Sequence, residues 1–225
     1  MCIRDRYDGT VVFWGSDGNH RTGYMDISNN LTDVIDACYS RYAWAVLKND
    51  GTVVTWGNVD YGGDSSSVQD ELVNVKKIYS NWWSFTALKY NGTLVSWGNA
   101  SYGGGDIPPI TEIIEVIPSL YAYVAINKDN NLVGAWGSAS HGGTISSVPT
   151  NDRINIKKIY PIETGYVLIT NDDKVVMWGY ANGIVENVEK VAVSRKGIVI
   201  LKKNKTAQYF GEYMPVSYTH LTLPT

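Results

Sequence analysis

The sequence predicts an all-β protein made of repeated four-stranded antiparallel units, and three observations support this prediction. An aromatic residue followed by Gly recurs along the chain, and a short apolar run begins 22 or 23 residues before each of the last five copies. In the best-matched copies an Asn-Gly or Asp-Gly turn lies between these two columns. The aromatic-Gly pairs stand at Trp14-Gly15, Trp56-Gly57, Trp97-Gly98, Trp136-Gly137, Trp178-Gly179 and, in a degenerate copy, Phe210-Gly211.

The turn is the clearest local signal in each repeat. Residues 87–98 contain Asn91-Gly92 between two runs of β-branched and apolar residues. Residues 45–57 have nearly the same sequence around Asp50-Gly51. Such dipeptides are typical of two-residue hairpin loops, because both central residues of the favoured turn need positive φ. The turns and the period-two spacing around them exclude a helical repeat.

The remaining residues of each repeat predict the other strands. A first strand begins at the apolar column, at Val34, Val75, Ile113, Ile156 and Val188. A second strand carries an aromatic column at Trp44, Phe85, Tyr123 and Tyr166. The third strand follows the turn and ends at the aromatic-Gly pair, and a weaker fourth strand is expected in the variable segment after it. One extra residue near Gly134 indicates a β-bulge in one third strand.

Two later turns lack Gly and read Asp172-Asp173-Lys174 and Asn204-Lys205-Thr206. Asp and Asn tolerate left-handed backbone better than most residues, so these hairpins are expected as well. Four short antiparallel strands about every 40 residues, apolar on both faces, indicate the blades of a β-propeller. The sequence contains about five such blades.

The two ends of the chain have a different origin. Residues 1–6 can be encoded by DNA whose reverse complement encodes residues 216–220, as expected of a translated sequencing adapter. We therefore expect 1–6 and 215–225 to be adapter-derived, and 7–214 to be a partial propeller domain of about five repeats. The compartment cannot then be inferred, and Cys38 is left without a second native cysteine for a disulfide.

The repeat pattern Ala-Leu-Lys-x-Asn/Asp-Gly-Thr-Val/Leu-x-x-Trp-Gly, followed by Tyr61-Gly62-Gly63 or Tyr102-Gly103-Gly104, resembles the repeat of the regulator of chromosome condensation family. The resemblance covers about five units and is strongest in the second and third. Members of that family form seven-bladed propellers, so the resemblance implies an incomplete propeller here. The sequence departs from the family pattern in two ways. It has Gly-Gly-Asp or Gly-Gly-Gly where the family has Gly-Gln-Leu-Gly, and it lacks the family's usual His before the second strand.

The sequence contains no recognisable catalytic or metal-binding constellation. His20 and His141 lie far apart, and no spaced Cys/His set or Gly-rich phosphate loop is present. Asp172-Asp173 could form a carboxylate pair, but a solvated turn is expected at that position. We therefore predict a protein that is not an enzyme, with no catalytic residues, no metal and no cofactor.

Charge and hydropathy limit the partners. The formal net charge is −3, which does not favour non-specific binding to nucleic acid, so no nucleic-acid partner is expected. No apolar run approaches the roughly 20 residues that would span a bilayer. A protein partner is the expected ligand.

Strand order places two aromatic columns at the same end of each blade. Tyr, Trp and Arg are enriched at interface hot spots, so the residues expected to bind a partner are Arg41, Tyr42, Tyr61, Trp82, Trp83, Tyr102, Tyr121 and His141. For Tyr61, Tyr102 and His141, packing at the blade edge is an alternative. Consecutive residues of an extended chain point opposite ways, so at least one of Trp82 and Trp83 is expected to be exposed. Packing between blades is expected of Trp14, Trp56, Trp97, Trp136 and Trp178.

The sequence therefore favours a non-enzymatic scaffold that binds a protein partner through aromatic loops on one propeller face. Two alternatives stay open at this point. The resemblance implies guanine-nucleotide exchange on a small GTPase as one of them, although no residue set supports it. The other is a propeller module of a larger protein, such as a ubiquitin ligase.

Overall fold

The computed structural model describes residues 2–5, 11–14, 31–154, 156–179 and 182–211, the first two ranges as backbone only. The side chain of Trp14, His20 and the segment 215–225 lie outside the described residues. The chain divides into two compact units, Met1–Ile107 (unit 1) and Pro108–Thr225 (unit 2). Both units are built from sheets of antiparallel strands, which confirms the all-β prediction.

Unit 1 contains, in its described part, one two-stranded sheet and two three-stranded blades whose strands pair in chain order. The two-stranded sheet joins β1 (Cys2–Asp5) to β2 (Val11–Trp14). The blades are formed by β3 (Val34–Tyr39), β4 (Ala43–Lys48) and β5 (Val53–Gly57), and by β6 (Val75–Ser80), β7 (Ser84–Lys89) and β8 (Leu94–Gly98). Short 3₁₀ helices follow the third strands at Val59–Tyr61, Ser66–Glu71 and Ala100–Tyr102.

Unit 2 contains three blades among its described residues. They are formed by β9 (Ile113–Pro118), β10 (Ala122–Asn127) and β11 (Leu132–Gly137), by β12 (Ile156–Ile162), β13 (Gly165–Thr170), β14 (Val175–Gly179) and β15 (Gly183–Val185), and by β16 (Val188–Ser194), β17 (Gly197–Lys202) and β18 (Ala207–Gly211). The 3₁₀ helices of this unit are Ala139–His141 and Thr150–Arg153.

The predicted fourth strand is present in one of the five described blades. There β15 pairs with β14, with Val185 opposite Val175. In the three preceding blades the chain after the third strand instead forms a 3₁₀ turn that ends on a left-handed glycine, with φ of 89° to 99° at Gly62, Gly103 and Gly142. This turn takes the backbone away from the sheet edge, so no fourth strand forms at that point.

The hairpins and the predicted bulge are confirmed, but the turns are not of the predicted two-residue type, because Asp50 and Asn91 do not adopt the positive φ that both central residues would need. Gly51 and Gly92 adopt φ of 79° in the two Gly-containing hairpins. In the turns without Gly, Asp173 and Lys205 adopt φ of 60° and 66°. Between β10 and β11 the register slips after Ala125↔Gly134, and the next pair is Ile126↔Leu132. The extra residue is therefore accommodated as a bulge beside Gly134.

Adjacent blades within a unit pack through the faces of their strands. In unit 1 the core between the blades contains Leu47, Phe85 and Trp97, all at most 2% exposed. In unit 2 the corresponding core contains Tyr166 and Trp178. Each large apolar side chain buried in this way contributes about 1.5–3 kcal/mol. Among the described residues, no helix is long and apolar enough to cross a membrane.

Candidate functional site

Two sets of loops meet at one end of the blades of unit 1. Tyr42 and Trp83 lie on the connections between first and second strands, and Asn58 and Asn99 begin the segments after the third strands. The backbone N–H of Asn58 donates to the carbonyl oxygen of Tyr42 at 2.9 Å, and that of Asn99 to Trp83 at 3.1 Å. These bonds bring the two aromatic columns side by side.

Four aromatic rings form a continuous series across the two blades of unit 1. Tyr42 meets Tyr61 edge to face with ring centroids 4.8 Å apart. Trp83 stacks on Tyr61 at 4.6 Å and on Tyr102 at 4.9 Å, with interplanar angles of 17° and 26°. All four residues are half-buried. Because the Trp83 ring has another ring over each face, its faces are covered. A partner can contact the edges of the four rings and the outer faces of Tyr42 and Tyr102 at the two ends of the series.

Arg41 and Trp82 flank this series. The guanidinium carbon of Arg41 lies 5.1 Å from the ring centroid of Tyr42 and 5.6 Å from that of Trp82. The backbone N–H of Arg41 donates to the carbonyl oxygen of Trp82 at 3.0 Å, which links the loops of the two blades. Trp82 is 36% exposed and Arg41 is exposed, whereas Trp83 is covered, so the two consecutive tryptophans have different surroundings.

Unit 2 contains the two other residues expected to bind a partner. Tyr121 and His141 lie 4.6 Å apart with their rings tilted by 52°. The Nδ1 atom of His141 lies 2.8 Å from the hydroxyl of Ser138 and 3.0 Å from that of Ser140, which orients the imidazole. The next blade has Thr164 and Gly183 at the corresponding positions, so the aromatic columns do not continue there.

The 3₁₀ turns that carry Tyr61 and Tyr102 have a defined local cause. The side chain of Asn58 accepts a hydrogen bond from the backbone N–H of Asp60 at 2.8 Å, and Asn99 caps its own turn in the same way at 3.0 Å. Each turn then closes on a left-handed glycine, a conformation that glycine adopts without strain. The sequence Tyr-Gly-Gly is therefore a turn motif that fixes the position of the aromatic ring.

Sequence reasoning missed two buried polar residues that hold the loops together. The hydroxyl of Ser40 donates to the carbonyl oxygen of Tyr61 at 2.8 Å, and the amide of Asn81 donates to that of Tyr102 at 2.6 Å. Both residues are 4% exposed. The Oδ1 atom of Asn81 also accepts from the backbone N–H of Trp83 at 2.7 Å. Their signal was a Ser or Asn at a constant offset after the first-strand apolar column.

Two of the repeated tryptophans of the third strands, Trp97 and Trp178, are buried at junctions between blades of one unit. The indole N–H of Trp97 donates to Gly62 O at 3.0 Å, and that of Trp178 donates to Gly142 O at 3.3 Å. Trp136 is 3% exposed, and its indole nitrogen has no hydrogen-bond partner within the described part of the chain. Trp56 is 8% exposed.

The paired carboxylates at Asp172 and Asp173 lie in the turn between β13 and β14. The Thr170 hydroxyl donates to Asp172 and lowers its pKa, and Lys203, 2.8 Å from Asp173, lowers the pKa of that carboxyl. A pair that shares a proton would instead have one raised pKa. Over residues 31–154, 156–179 and 182–211, no group of three His, Cys, Asp or Glu side chains is placed to hold a metal ion.

No family model and no curated protein matches the sequence, but solved structures do. The ectodomain of the receptor kinase CR4 from Physcomitrella patens matches with a TM-score of 0.54 and 16% identity, over 97% of this chain and 59% of that chain. Prp20p from Saccharomyces cerevisiae, the yeast RCC1, matches with a TM-score of 0.51 and 15% identity, over 83% of this chain and 59% of that chain.

The WD40 ectodomain of the Arabidopsis thaliana receptor kinase ACR4 matches with a TM-score of 0.52 and 13% identity, over 93% of this chain and 75% of that chain. The chain spans about three fifths of the length of the first solved structures that it matches. At these identities the likeness is one of fold. It confirms that the chain has a β-propeller fold, like that of the regulator of chromosome condensation.

Proposed function

We propose that the chain is a non-enzymatic interaction module that binds a protein partner through one surface of unit 1. This aromatic surface consists of Arg41, Tyr42, Tyr61, Trp82, Trp83 and Tyr102. The observation that supports the proposal is the unbroken series of ring contacts from Tyr42 to Tyr102, which crosses from one blade to the next.

The rings of this surface are held before a partner arrives. Ser40 and Asn81 bond the carbonyl groups of Tyr61 and Tyr102 from inside the protein, and stacking limits rotation of the rings. Side chains that are already ordered lose little conformational entropy on binding, a cost that otherwise reaches about 0.5–1.5 kcal/mol for each immobilised side chain. Preorganised Tyr and Trp are also the residue types that carry much of the energy at protein interfaces.

The fold is compatible with this use. Prp20p, which shares the fold, is described by its binding properties to Gsp1p and histones. One propeller with this fold therefore binds protein partners. For this chain we place that surface on the loops at one end of the blades of unit 1, where Arg41, Trp82 and Trp83 join Tyr61 and Tyr102 of the repeat.

A peptide-display selection on the intact chain tests the proposal. Short random peptides are selected against the chain, and each enriched peptide is measured for binding to Tyr42→Ala, Trp82→Ala and Tyr90→Ala. Tyr90 is the matched control, because it is 72% exposed and lies in the hairpin turn at the opposite end of its blade.

We expect enriched peptides to bind the Tyr42→Ala and Trp82→Ala variants at least tenfold more weakly, which corresponds to about 1.4 kcal/mol, and to bind the Tyr90→Ala variant as the parent. Circular dichroism establishes that each variant is folded. Peptides that bind all three folded variants equally well would contradict the proposal.

A further inference from the structure

Arg41 is the exposed cation of the aromatic surface, and its position is well defined. Its backbone is bonded to Trp82 O at 3.0 Å, and its guanidinium lies over the rings of Tyr42 and Trp82. A guanidinium is attracted to the face of an aromatic ring. The charge of Arg41 is thus held at the surface beside two rings.

The described residues of the chain do not supply an anion for this arginine. The ion pairs that they form involve other side chains, and none includes Arg41. No side-chain hydrogen bond joins Arg41 to another described residue either. A guanidinium presents five N–H donors in a fork that matches a carboxylate, so Arg41 is positioned to form an ion pair with a carboxylate from outside the described residues.

The repeat itself shows what an arginine at this position contacts. Five residues share the repeat position in the loop between first and second strands: Arg41, Trp82, Leu120, Glu163 and Arg195. In unit 2, the backbone N–H of Glu163 donates to Arg195 O at 2.7 Å, the same blade-to-blade bond that Arg41 makes to Trp82. There the Nε atom of Arg195 lies 3.4 Å from a carboxylate oxygen of Glu163. By this bond Arg41 corresponds to Glu163 and Trp82 corresponds to Arg195, so unit 1 has a cation beside an aromatic ring where unit 2 has an ion pair.

We propose that Arg41 recognises an acidic side chain of the protein partner, through the same kind of guanidinium–carboxylate contact that Arg195 makes with Glu163. This inference rests on the proposed function of the aromatic surface and specifies the chemistry of its ligand. The partner segment presents an Asp or Glu to the guanidinium and an apolar side chain to Trp82, which is 36% exposed. A polyanion is a poorer ligand, because the chain has a net charge of −3 and this surface supplies a single arginine.

The peptides enriched in the selection described above provide the test. We expect Asp or Glu to be enriched in them. Replacing the acidic residue of a peptide by its amide, Glu→Gln or Asp→Asn, should weaken binding to the parent chain by roughly ten- to a hundredfold. This measurement uses the parent protein, so it does not depend on whether a variant folds.

The protein-side change is Arg41→Gln, with Arg41→Lys as the conservative variant and Arg195→Gln as the control with the same change in charge. Arg41→Gln should weaken binding of the acidic peptide by the same factor and leave binding of its amide form unchanged. Arg41→Lys should recover part of the loss, and Arg195→Gln should have no effect. Raising the salt concentration should weaken binding of the acidic peptide to the parent chain more than binding of the amide peptide, and this difference should disappear in Arg41→Gln.

The outcomes separate the two proposals. The role of Arg41 is overturned, and the aromatic surface stands, if the enriched peptides depend on Tyr42 and Trp82 but lack acidic residues. The same conclusion follows if replacing the acidic residue by its amide weakens binding to the parent chain and to Arg41→Gln by the same factor. If phosphopeptides bind the parent more tightly than their Glu forms, carboxylate recognition is also overturned. If no peptide depends on Tyr42 and Trp82, both proposals fail.

Discussion

The two units use the same repeat but differ at the end of the blades where the loops meet. In unit 1, Tyr42, Tyr61, Trp83 and Tyr102 form one series of rings, and no ion pair lies within its described residues. In unit 2 one aromatic pair is followed by Thr164 and Gly183, and all the ion pairs of the described residues lie there.

The junctions between blades, in contrast, are nearly the same in both units. Trp97 bonds to Gly62 in unit 1 as Trp178 bonds to Gly142 in unit 2. The shared contacts therefore belong to the scaffold, and the contacts that differ belong to the loops. This comparison is why we place function in the aromatic surface rather than in the blade junctions. The predictions below test the shared junctions first and the unit-specific contacts after them.

The largest effect is expected at the junction glycines. A Cβ atom at Gly62 would lie 2.6 Å from Cδ2 of Phe85, and one at Gly142 would lie 2.7 Å from Cδ2 of Tyr166. Both glycines have φ of 89°. Gly62→Ala and Gly142→Ala should each lower the free energy of unfolding by about 2–5 kcal/mol, through backbone strain and overpacking.

Urea denaturation measures this loss, with Gly183→Ala as the control. A Cβ atom at Gly183 would meet only the flexible end of Met177, at 3.1 Å, and its backbone is extended. Gly183→Ala should therefore change the free energy of unfolding by less than about 1 kcal/mol. Equal losses for all three variants would show that the junctions are not the shared scaffold.

The next effect distinguishes Tyr166 in unit 2 from Phe85 at the same position in unit 1. The buried hydroxyl of Tyr166 donates to Ala122 O at 2.7 Å and accepts from the backbone N–H of Ser119 at 3.1 Å. Tyr166→Phe removes both bonds, while the Ser119 N–H still donates to Ala122 O at 2.9 Å. At about 0.5–1.5 kcal/mol for each lost bond, the change should cost about 1–3 kcal/mol at neutral pH.

The contribution of Tyr166 should also depend on pH. Burial raises the pKa of Tyr166 above its value in the unfolded chain. Its stabilisation is therefore complete below about pH 10 and declines as the pH rises further, because only the unfolded chain ionises there. The difference in unfolding free energy between parent and Tyr166→Phe should shrink above that pH. A difference that grows with pH would refute this account.

A smaller effect is expected from the indole hydrogen bonds. Trp97→Phe and Trp178→Phe each remove a bond to a buried carbonyl oxygen, as well as part of the ring. Trp136→Phe removes a similar part of the ring but no bond to a described residue. By thermal denaturation, the first two variants should therefore be less stable than Trp136→Phe by about 1 kcal/mol. A Trp136→Phe variant that is the least stable of the three would contradict this ranking.

The smallest effect concerns an ion pair of unit 2. Lys203 lowers the pKa of Asp173, so this carboxylate stabilises the fold above the pKa of the unfolded chain. That stabilisation is lost as the pH falls through the folded-state pKa. Asp173→Asn keeps a residue that tolerates left-handed φ, and it should lower the urea midpoint slightly at neutral pH and not at all in strong acid. A midpoint difference that persists in strong acid would point to the turn rather than to the charge.

Much of the fold could be predicted because its signals are local. Asn91-Gly92 requires a hairpin, and the constant distance from Val75 to Trp97 identifies the strands on either side of it. The fourth strand was predicted for every blade but, among the described residues, forms in one; after β5, β8 and β11 the chain instead turns at left-handed glycines such as Gly62. Whether Gly-Gly makes a turn or an edge strand depends on this local backbone conformation.

The candidate site was predictable in position but not in its contacts. Strand order brings Tyr42 and Tyr61 to one end of a blade, and the structure places their rings together. The stacking of Trp83 on Tyr61 joins residues of different blades, so it depends on side-chain rotamers and blade packing that sequence spacing does not contain. The hydrogen bond from Asn81 to Tyr102 O could not be predicted either. The sequence does not show which buried carbonyl group lies within reach of the Asn81 side chain.

Amide hydrogen exchange on the chain, with and without the tightest selected peptide, tests the central claim most directly. The claim predicts slower exchange in the loops 40–43, 59–63, 81–84 and 100–104 of unit 1, and no change in the hairpin turns 49–52 and 90–93 at the opposite end of the blades. Protection of those hairpin turns, or of unit 2 with no change in these loops, would contradict it.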